Sequence, residues 1–256
     1  MTKIVSVQLW VGDETKEERV RRVEALLDRV GDADLVILPE IWNAGYFCFD
    51  SYEKEAEPLD GPTFSRMARK AREKRFYLHM GSFVEKRGGS LFNTSVFIDR
   101  GGNPIATYRK IHLYGYGSKE SQILTRGDDL TVADTEFGKV GMSTCYDLRF
   151  PELFRKMVDR GAELFLVASG WPYPRLEHWL MFNRIRAIEN TAFLVSSNCV
   201  GINRGVRFCG HSMMVDPWGV IVASGGDEEG LLKAEIDLQR VAAIRKEFPA
   251  LSDRVL

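Results

Sequence analysis

Several features that mark specialised classes of protein are scarce in this chain of 256 residues. An excess of charge of one sign is lacking, because 35 basic and 36 acidic residues leave a formal net charge of −1. This balance argues against a nucleic-acid surface or a polybasic membrane contact. No run of about 18 apolar residues occurs, so the sequence predicts no membrane-spanning helix. The opening segment MTKIVSVQLW lacks the long apolar region and cleavage site of a secretory signal, so we expect a cytoplasmic protein.

Cysteine and histidine are too few and too scattered to indicate a metal site or a disulfide framework. The cysteines could be paired as two disulfides, but none forms a C-x-x-C pair and a chain of this length needs no such framework. We therefore expect four free thiols: Cys48, Cys145, Cys199 and Cys209. No two of the four histidines have metal-ligand spacing, and we expect each to be a structural side chain with satisfied hydrogen bonds. Walker A and G-x-G-x-x-G motifs are also missing, so the sequence predicts no metal and no cofactor.

The composition favours one globular domain that spans residues 1–256. A hydrophobic share of 45% is ordinary for a protein with a full core. No linker, internal repeat or abrupt shift in composition divides the chain, so a single domain is the simplest interpretation.

Apolar runs and helical periodicities alternate along the chain. Thr15 and Glu18 form a capping box before one helix, and Pro62 is a good first residue for another. The apolar runs LVIL and LFLVA are typical of strands buried on both faces. Further strands are predicted near 4–9, 76–83, 94–99, 104–109, 140–145, 192–197, 212–215, 220–223 and 231–236. Further helices are predicted after Pro151, at 176–189 and near the end, and residues 112–130 are predicted to form a long polar loop. This alternation predicts a layered α/β fold with helices outside mixed sheets.

Three residues that could carry out acyl transfer each follow a predicted strand. Cys145 could be a nucleophile, Glu40 a partly desolvated general base, and Lys110 a cation that stabilises an oxyanion. Taken singly, Cys145 is better explained as a small buried apolar residue and Lys110 as a solvated lysine, while Glu40 is equally well explained as a surface glutamate. Together they supply the three roles that acyl transfer needs. A papain-like Cys–His pair has no local signature here.

Three segments that contain these residues resemble the catalytic blocks of the nitrilase superfamily of carbon–nitrogen hydrolases. They are LPE at 38–40, YRKIHL at 108–113 and CYDLRFPEL at 145–153, and they occur in the family's order. FCGHS at 208–212 and DPWG at 216–219 are similar to the closing family pattern. The resemblance covers nearly the whole chain. It implies a four-layer α-β-β-α sandwich formed within one chain, with two such units packed through helices into a larger layered dimer.

The resemblance also implies site residues and a reaction. Cys145 would be the nucleophile, Glu40 the general base and Lys110 the oxyanion donor, assisted by the backbone N–H of Tyr146. Glu120 is the best match to a second glutamate that orients the lysine or the substrate in many members. The reaction would pass through a thioester and release ammonia and a carboxylic acid.

The residues after the nucleophile favour one branch of the family. Nitrilases proper resemble Cys-Trp-Glu there, whereas this chain has Cys-Tyr-Asp and resembles Nit-type amidases, including ω-amidases. The leading hypothesis is therefore an amidase acting on a small ω-amide of a dicarboxylate, with a small-molecule amide as its partner. The alternatives are an aliphatic or deaminated-glutathione-type amidase, an N-carbamoyl hydrolase, and a catalytically silent scaffold on the same fold. We expect Asp147 and Arg149 to pair with each other inside the fold rather than to contact substrate.

Overall fold

The structure, a computed structural model, describes residues 1–255. Its strands are β1 (Thr2–Trp10), β2 (Leu35–Ile37), β3 (Tyr77–Arg87), β4 (Ser90–Ile98), β5 (Pro104–Arg109), β6 (Thr131–Thr135), β7 (Gly138–Thr144), β8 (Leu164–Ser169), β9 (Phe193–Val200), β10 (Ile202–Asn203), β11 (Val206–Arg207), β12 (Met213–Val215), β13 (Ile221–Ser224) and β14 (Gly230–Ile236). Its α-helices are α1 (Lys16–Asp28), α2 (Tyr52–Glu55), α3 (Pro62–Lys74), α4 (Glu120–Ile123), α5 (Pro151–Asp159), α6 (Leu176–Asn190) and α7 (Gln239–Glu247). Short 3-10 helices cover Phe49–Ser51, Cys145–Arg149 and Tyr173–Arg175.

Twelve of the strands form one hydrogen-bonded path that divides into two halves, and β10 and β11 form a separate two-stranded sheet. The order is β5-β4-β3-β2-β1-β9-β8-β7-β6, with β14 also on β1 and β12 with β13 beside β9. Strand pairing joins the halves where Leu9 pairs with Cys199 and Trp10 with Val200, at the carboxyl ends of β1 and β9. β1, β2 and β3 run parallel, as do β7, β8 and β9. The carboxyl ends of parallel strands meet at one edge, which is where sites form in such sheets.

Three hydrophobic clusters show that the two halves lie face to face with helices outside. One cluster joins α1 and α3 to the first half, and another joins α5 and α6 to the second. The third cluster lies between the halves and contains Ile37 and Phe97 from one and Leu164 and Leu166 from the other. Val36 and Ile37 belong to different clusters because successive strand residues point to opposite faces. The predicted four-layer α-β-β-α sandwich within one chain is confirmed.

Local signals also place the helices as predicted. Thr15 and Glu18 form the reciprocal capping box of α1, and Pro62 and Pro151 open α3 and α5. The four cysteines are free thiols, as predicted. No helix within residues 1–255 has both the length and the apolar character to cross a membrane.

Several elements differ from the sequence prediction, among them β10, β11 and the short helix α2, which were not predicted. β6 was not predicted, and the polar stretch after residue 112 contains the short helix α4. β3 and β4 extend beyond their predicted limits and meet at a tight hairpin in which Gly88 and Gly89 have φ of 57° and 81°. The charged run Glu85-Lys86-Arg87 conceals the end of β3 in the sequence, because Lys86 and Arg87 are exposed and the buried Glu85 is paired with Arg109.

The prediction that every histidine has satisfied hydrogen bonds is wrong for His79. This residue lies in β3 and is wholly buried, and neither ring nitrogen has a hydrogen-bond partner among residues 1–255. Strand alternation turns the ring toward the space between the two halves, where Phe97 is a neighbour 6.4 Å away between ring centres. Burial lowers the pKa of His79 to about 3, so the ring is neutral.

Candidate active site

The structure brings Glu40, Lys110 and Glu120 into direct contact at one sheet edge. Glu40 follows β2 and Lys110 follows β5, and all three side chains are wholly buried. The Lys110 Nζ donates to Glu40 Oε1 at 2.8 Å and to the two carboxylate oxygens of Glu120 at 3.0 and 2.9 Å. An ammonium between two carboxylates is the arrangement that lets a buried lysine keep its charge.

Cys145 occupies the same edge on the other half of the sandwich. It follows β7, begins the 3-10 helix Cys145–Arg149, and has a φ of 49°. This left-handed conformation is sparsely populated by residues with a Cβ and persists only where the surroundings impose it. Thr144 and Asp147 impose it here through a reciprocal cap in which the Thr144 N–H donates to Asp147 at 2.9 Å. The first N–H groups of a helix have no partner within it, and that of Tyr146 is one of them.

The charges of this cluster set the protonation of its members. Burial raises the pKa of Glu40, although the Lys110 charge opposes the shift. Burial also acts to lower the pKa of Lys110, but the charges of Glu120 and Glu40 outweigh it and the net pKa lies above its usual value. Burial, and then the Glu40 charge, raise the pKa of the Cys145 thiol well above normal. A protonated thiol therefore stands near a carboxylate with raised proton affinity, which suits proton transfer at the moment of attack.

Sequence reasoning missed a buried asparagine that holds the two carboxylates in place. Asn93, within β4, donates its side-chain amide hydrogens to Glu40 at 2.8 Å and to Glu120 at 2.9 Å. The backbone N–H of Gly170 donates to the second oxygen of Glu40 at 2.9 Å. A polar residue inside the apolar strand LFNTSVF is the signal that could have pointed to Asn93.

Glu120 also accepts hydrogen bonds from the Tyr46 side chain and from the loop that precedes α4. Its carboxylate accepts the Tyr46 hydroxyl at 3.1 Å and the backbone N–H of Tyr114 at 2.7 Å. The predicted second glutamate therefore lies beside Lys110, and it connects the lysine to the loop before α4.

The expected pairing of Asp147 with Arg149 is wrong. Asp147 accepts from the Tyr108 hydroxyl at 2.7 Å and contacts the His112 ring at 2.7 Å. Arg149 turns away, with its guanidinium 3.2 Å from His178 and 5.0 Å from the centre of the Trp171 ring. The reason is geometric, because residues two apart on a helical turn do not face each other.

A narrow cleft opens onto Cys145. Its lining consists of Tyr46, Tyr114, Cys145, Tyr146, Arg149, Gly170, Trp171, Pro172 and Arg175. Neither Arg149 nor Arg175 has a carboxylate within ion-pair distance among residues 1–255, and both lie over aromatic rings. The cleft therefore combines a thiol at its base with apolar walls and two uncompensated cations.

Within residues 1–255, no group of three or more histidine, cysteine, aspartate or glutamate side chains is arranged to hold a metal ion. The cluster holds the groups that nucleophilic chemistry needs, namely a thiol at Cys145, a carboxylate at Glu40 that could accept its proton, and a cation at Lys110.

Comparison with known proteins gives matches over almost the full length. A model of the carbon-nitrogen hydrolase family matches residues 3–246. The 2-oxoglutaramate amidase of Paenarthrobacter nicotinovorans is 39% identical over 249 residues, which cover 94% of this chain and 85% of that protein. The 2-oxoglutaramate amidase of Bacillus subtilis strain 168 is 35% identical over 238 residues, which cover 92% of this chain and 91% of that protein.

A solved structure also matches over nearly its full length. The crystal structure of Saccharomyces cerevisiae Nit3, a member of branch 10 of the nitrilase superfamily, superposes with a TM-score of 0.91 at 29% identity. The superposition covers 100% of this chain and 97% of that one.

Proposed function

The chain belongs to the carbon–nitrogen hydrolase family and is an amidase, and on that premise we propose that it hydrolyses the ω-amide of a small dicarboxylate monoamide of the 2-oxoglutaramate type. Two relatives bear the name 2-oxoglutaramate amidase. The observation that carries the proposal for this chain is the pair of arginines without counter-ions in the cleft above Cys145.

The cleft chemistry favours a substrate with a carboxylate at the end remote from the amide. A partly buried guanidinium without an anion is poorly compensated, and a planar carboxylate fits its fork. Arg149 lies 5.0 Å from the Trp171 ring centre and Arg175 lies 5.1 Å from that of Tyr116, so both are held by aromatic faces. A neutral aliphatic amide would leave both charges unused, which is why this alternative ranks second.

The reaction proceeds through a thioester. Glu40 accepts the thiol proton while the Cys145 sulfur attacks the amide carbon, and Lys110 with the Tyr146 N–H stabilises the oxyanion. The intermediate collapses, the proton passes from Glu40 to the departing nitrogen, and ammonia leaves. Glu40 then takes a proton from water, the hydroxide attacks the thioester, and the sulfur regains a proton as the carboxylic acid departs. Glu120 holds Lys110 in position throughout.

Ammonia release across a panel of compounds tests the substrate class. We expect kcat/KM to be highest for dicarboxylate ω-monoamides and lower for neutral aliphatic amides, with N-carbamoyl amino acids and nitriles poor. Arg149→Ala should lower kcat/KM for the carboxylate-bearing amide by about tenfold or more, since it removes a charged hydrogen-bond donor, and should change the neutral amide little. Arg87→Ala, at the exposed end of β3, serves as the matched control. Equal losses on both amides would refute the carboxylate assignment.

Three broader features complete the proposal. Residues 1–256 act as a single catalytic domain that needs no metal or cofactor. The four free thiols suit the reducing cytoplasm. The enzyme works as a homodimer or higher homo-oligomer, which is supported by three exposed apolar side chains along α6: Met181, Ile185 and Ile188.

A further inference from the structure

Ser169 presents a buried hydroxyl that the mechanism above does not use. It is the last residue of β8 and has no exposed surface. Its Oγ has no hydrogen-bond partner among residues 1–255. Its backbone is part of the site, because its carbonyl accepts the Glu40 N–H at 3.3 Å and the next residue, Gly170, donates to the Glu40 carboxylate. The Ser169 hydroxyl is therefore a buried hydrogen-bonding group without a partner inside the cluster.

The sheet register places Ser169 beside the nucleophile. β7 and β8 are parallel neighbours, and Thr144 pairs with Ala168 at their carboxyl ends. Cys145 directly follows β7 and Ser169 is the last residue of β8, so the two residues are neighbours at the same sheet edge. Burial and the Glu40 charge raise the pKa of the Cys145 thiol, whereas Lys110 and the hydroxyl of Ser169 act to lower it.

A hydroxyl in this position distinguishes the two forms of the sulfur. A neutral thiol is a weak acceptor, so the buried O–H gains little from it in the resting protein. A thiolate is a charged acceptor, and hydrogen bonds to charged groups are roughly twice as strong as those between neutral groups. The hydroxyl thus favours the thiolate, which attacks the amide carbon and is the leaving group when the thioester is cleaved.

We propose that the Ser169 hydroxyl donates a hydrogen bond to the Cys145 sulfur when it is a thiolate, and that it serves as a thiolate-stabilising group on attack and on thioester cleavage. The thiol proton goes to Glu40, and Ser169 keeps its own proton throughout. The proposal rests on Cys145 being the nucleophile of the proposed function.

The test is the pH dependence of Cys145 alkylation by iodoacetamide in the full-length protein, with the modified cysteine identified by peptide mass spectrometry. We expect Ser169→Ala to shift the profile upward by about one pH unit, so that alkylation at pH 7 is about tenfold slower. Ser143→Ala is the matched control, because Ser143 is equally buried in β7 but donates to the Leu166 carbonyl at 3.4 Å. Its alkylation profile should match that of the wild type.

Thermal unfolding gives a second measurement, because a purely structural role of Ser169 predicts a different effect on the Tm. Removing a hydroxyl without a partner should leave the Tm of Ser169→Ala equal to or above that of the wild type. An unshifted alkylation profile, or a Tm well below the wild-type value, would overturn the proposal. Alkylation needs no amide substrate, so a wild-type protein that fails the ammonia panel would refute the proposed function while the Ser169 result is still decided.

Discussion

A charged lysine without exposed surface costs free energy to bury unless anions surround it, and Lys110 has two. Glu40 and Glu120 both accept from its Nζ, and Asn93 ties the carboxylates to each other. Two negative charges and one positive charge leave the cluster anionic when the thiol is neutral. A third anion, at Cys145, would therefore be disfavoured until the proton moves to Glu40.

Replacing Lys110 tests whether this cation works on the oxyanion. A fixed donor aimed at developing charge stabilises the transition state more than the ground state, and its loss typically costs about 10²–10³ in rate. We expect Lys110→Ala to fold and to lose at least that much in kcat. Lys110→Arg should rescue poorly, because a planar fork does not fit a site built for a point charge.

Steady-state kinetics with circular dichroism to confirm folding is the measurement, and the exposed neighbour Lys119→Ala is the control. A lysine with no part in the chemistry would change rates less than about threefold on removal. Near-wild-type turnover of Lys110→Ala would leave Cys145 without an electrophilic partner and would contradict the three-residue mechanism.

At the scale of elements, the sequence predicted best those segments whose pattern has one explanation. LVIL and LFLVA are strands because only a strand buried on both faces needs an unbroken apolar run that short. Capping residues and first-turn prolines placed α1, α3 and α5 for the same local reason. β6 escaped because it lies at the end of the strand path, where Thr131–Thr135 is only partly buried and needs little apolar character.

The site residues also differ in how well a local sequence pattern identifies them. Glu40, Lys110 and Cys145 could be proposed from the sequence because each directly follows a strand inside a recognisable motif. Asn93 and Ser169 were not proposed because they belong to no such motif, and their place in the site depends on how their strands pair with the neighbouring strands. Arg149 was wrongly expected to pair with Asp147 because the two residues are close in the sequence. The 3-10 turn instead points the Asp147 carboxylate toward Tyr108 and His112.

His79 in β3 makes the stability of the folded protein sensitive to acid. The folded protein holds His79 neutral, with a pKa of about 3 against 6.5 when unfolded. The unfolded chain therefore binds more protons below about pH 6.5, and folding stability falls as pH falls from there toward 3. Between pH 7.5 and 5 this one residue should remove about 2 kcal/mol of the unfolding free energy.

Urea unfolding of His79→Leu at the two pH values checks this sign. We expect the variant to lose about 2 kcal/mol less than the wild type on acidification, since the leucine has no proton to take up. His178→Gln, which replaces an exposed histidine, should retain the wild-type dependence. An identical pH dependence in His79→Leu and wild type would mean that the ring is satisfied or solvated in the folded state.

At the scale of the whole molecule, α6 links the cleft to an unpartnered apolar face. The helix begins directly after Arg175 of the cleft wall, and its Phe182 ring lies 5.2 Å from the Arg149 guanidinium. Its outer side exposes Met181, Ile185 and Ile188, which recur at helical spacing. The helix α6 therefore has an exposed apolar side and a side that faces the cleft. Subunit pairing on the apolar side would hold α6 in place and, through it, Arg149 and Arg175.

This arrangement gives a test of assembly that also reads out activity. A contiguous apolar face is a poor surface for water and a good one for a second copy of the same chain. Light scattering after size-exclusion chromatography should therefore give the wild type about twice the 29.1 kDa chain mass or a higher multiple.

Ile185→Glu combined with Ile188→Glu should yield monomers, because each pairing event would bury four like charges without partners. The monomers should retain the fold and lose part of kcat/KM for the carboxylate-bearing amide, since Arg149 then lies against an unsupported helix. Ile202→Glu, an equally exposed apolar position on β10, should leave both mass and activity unchanged. A wild type that elutes at the single-chain mass, or a double variant that keeps the wild-type mass, would show that α6 is not the pairing surface.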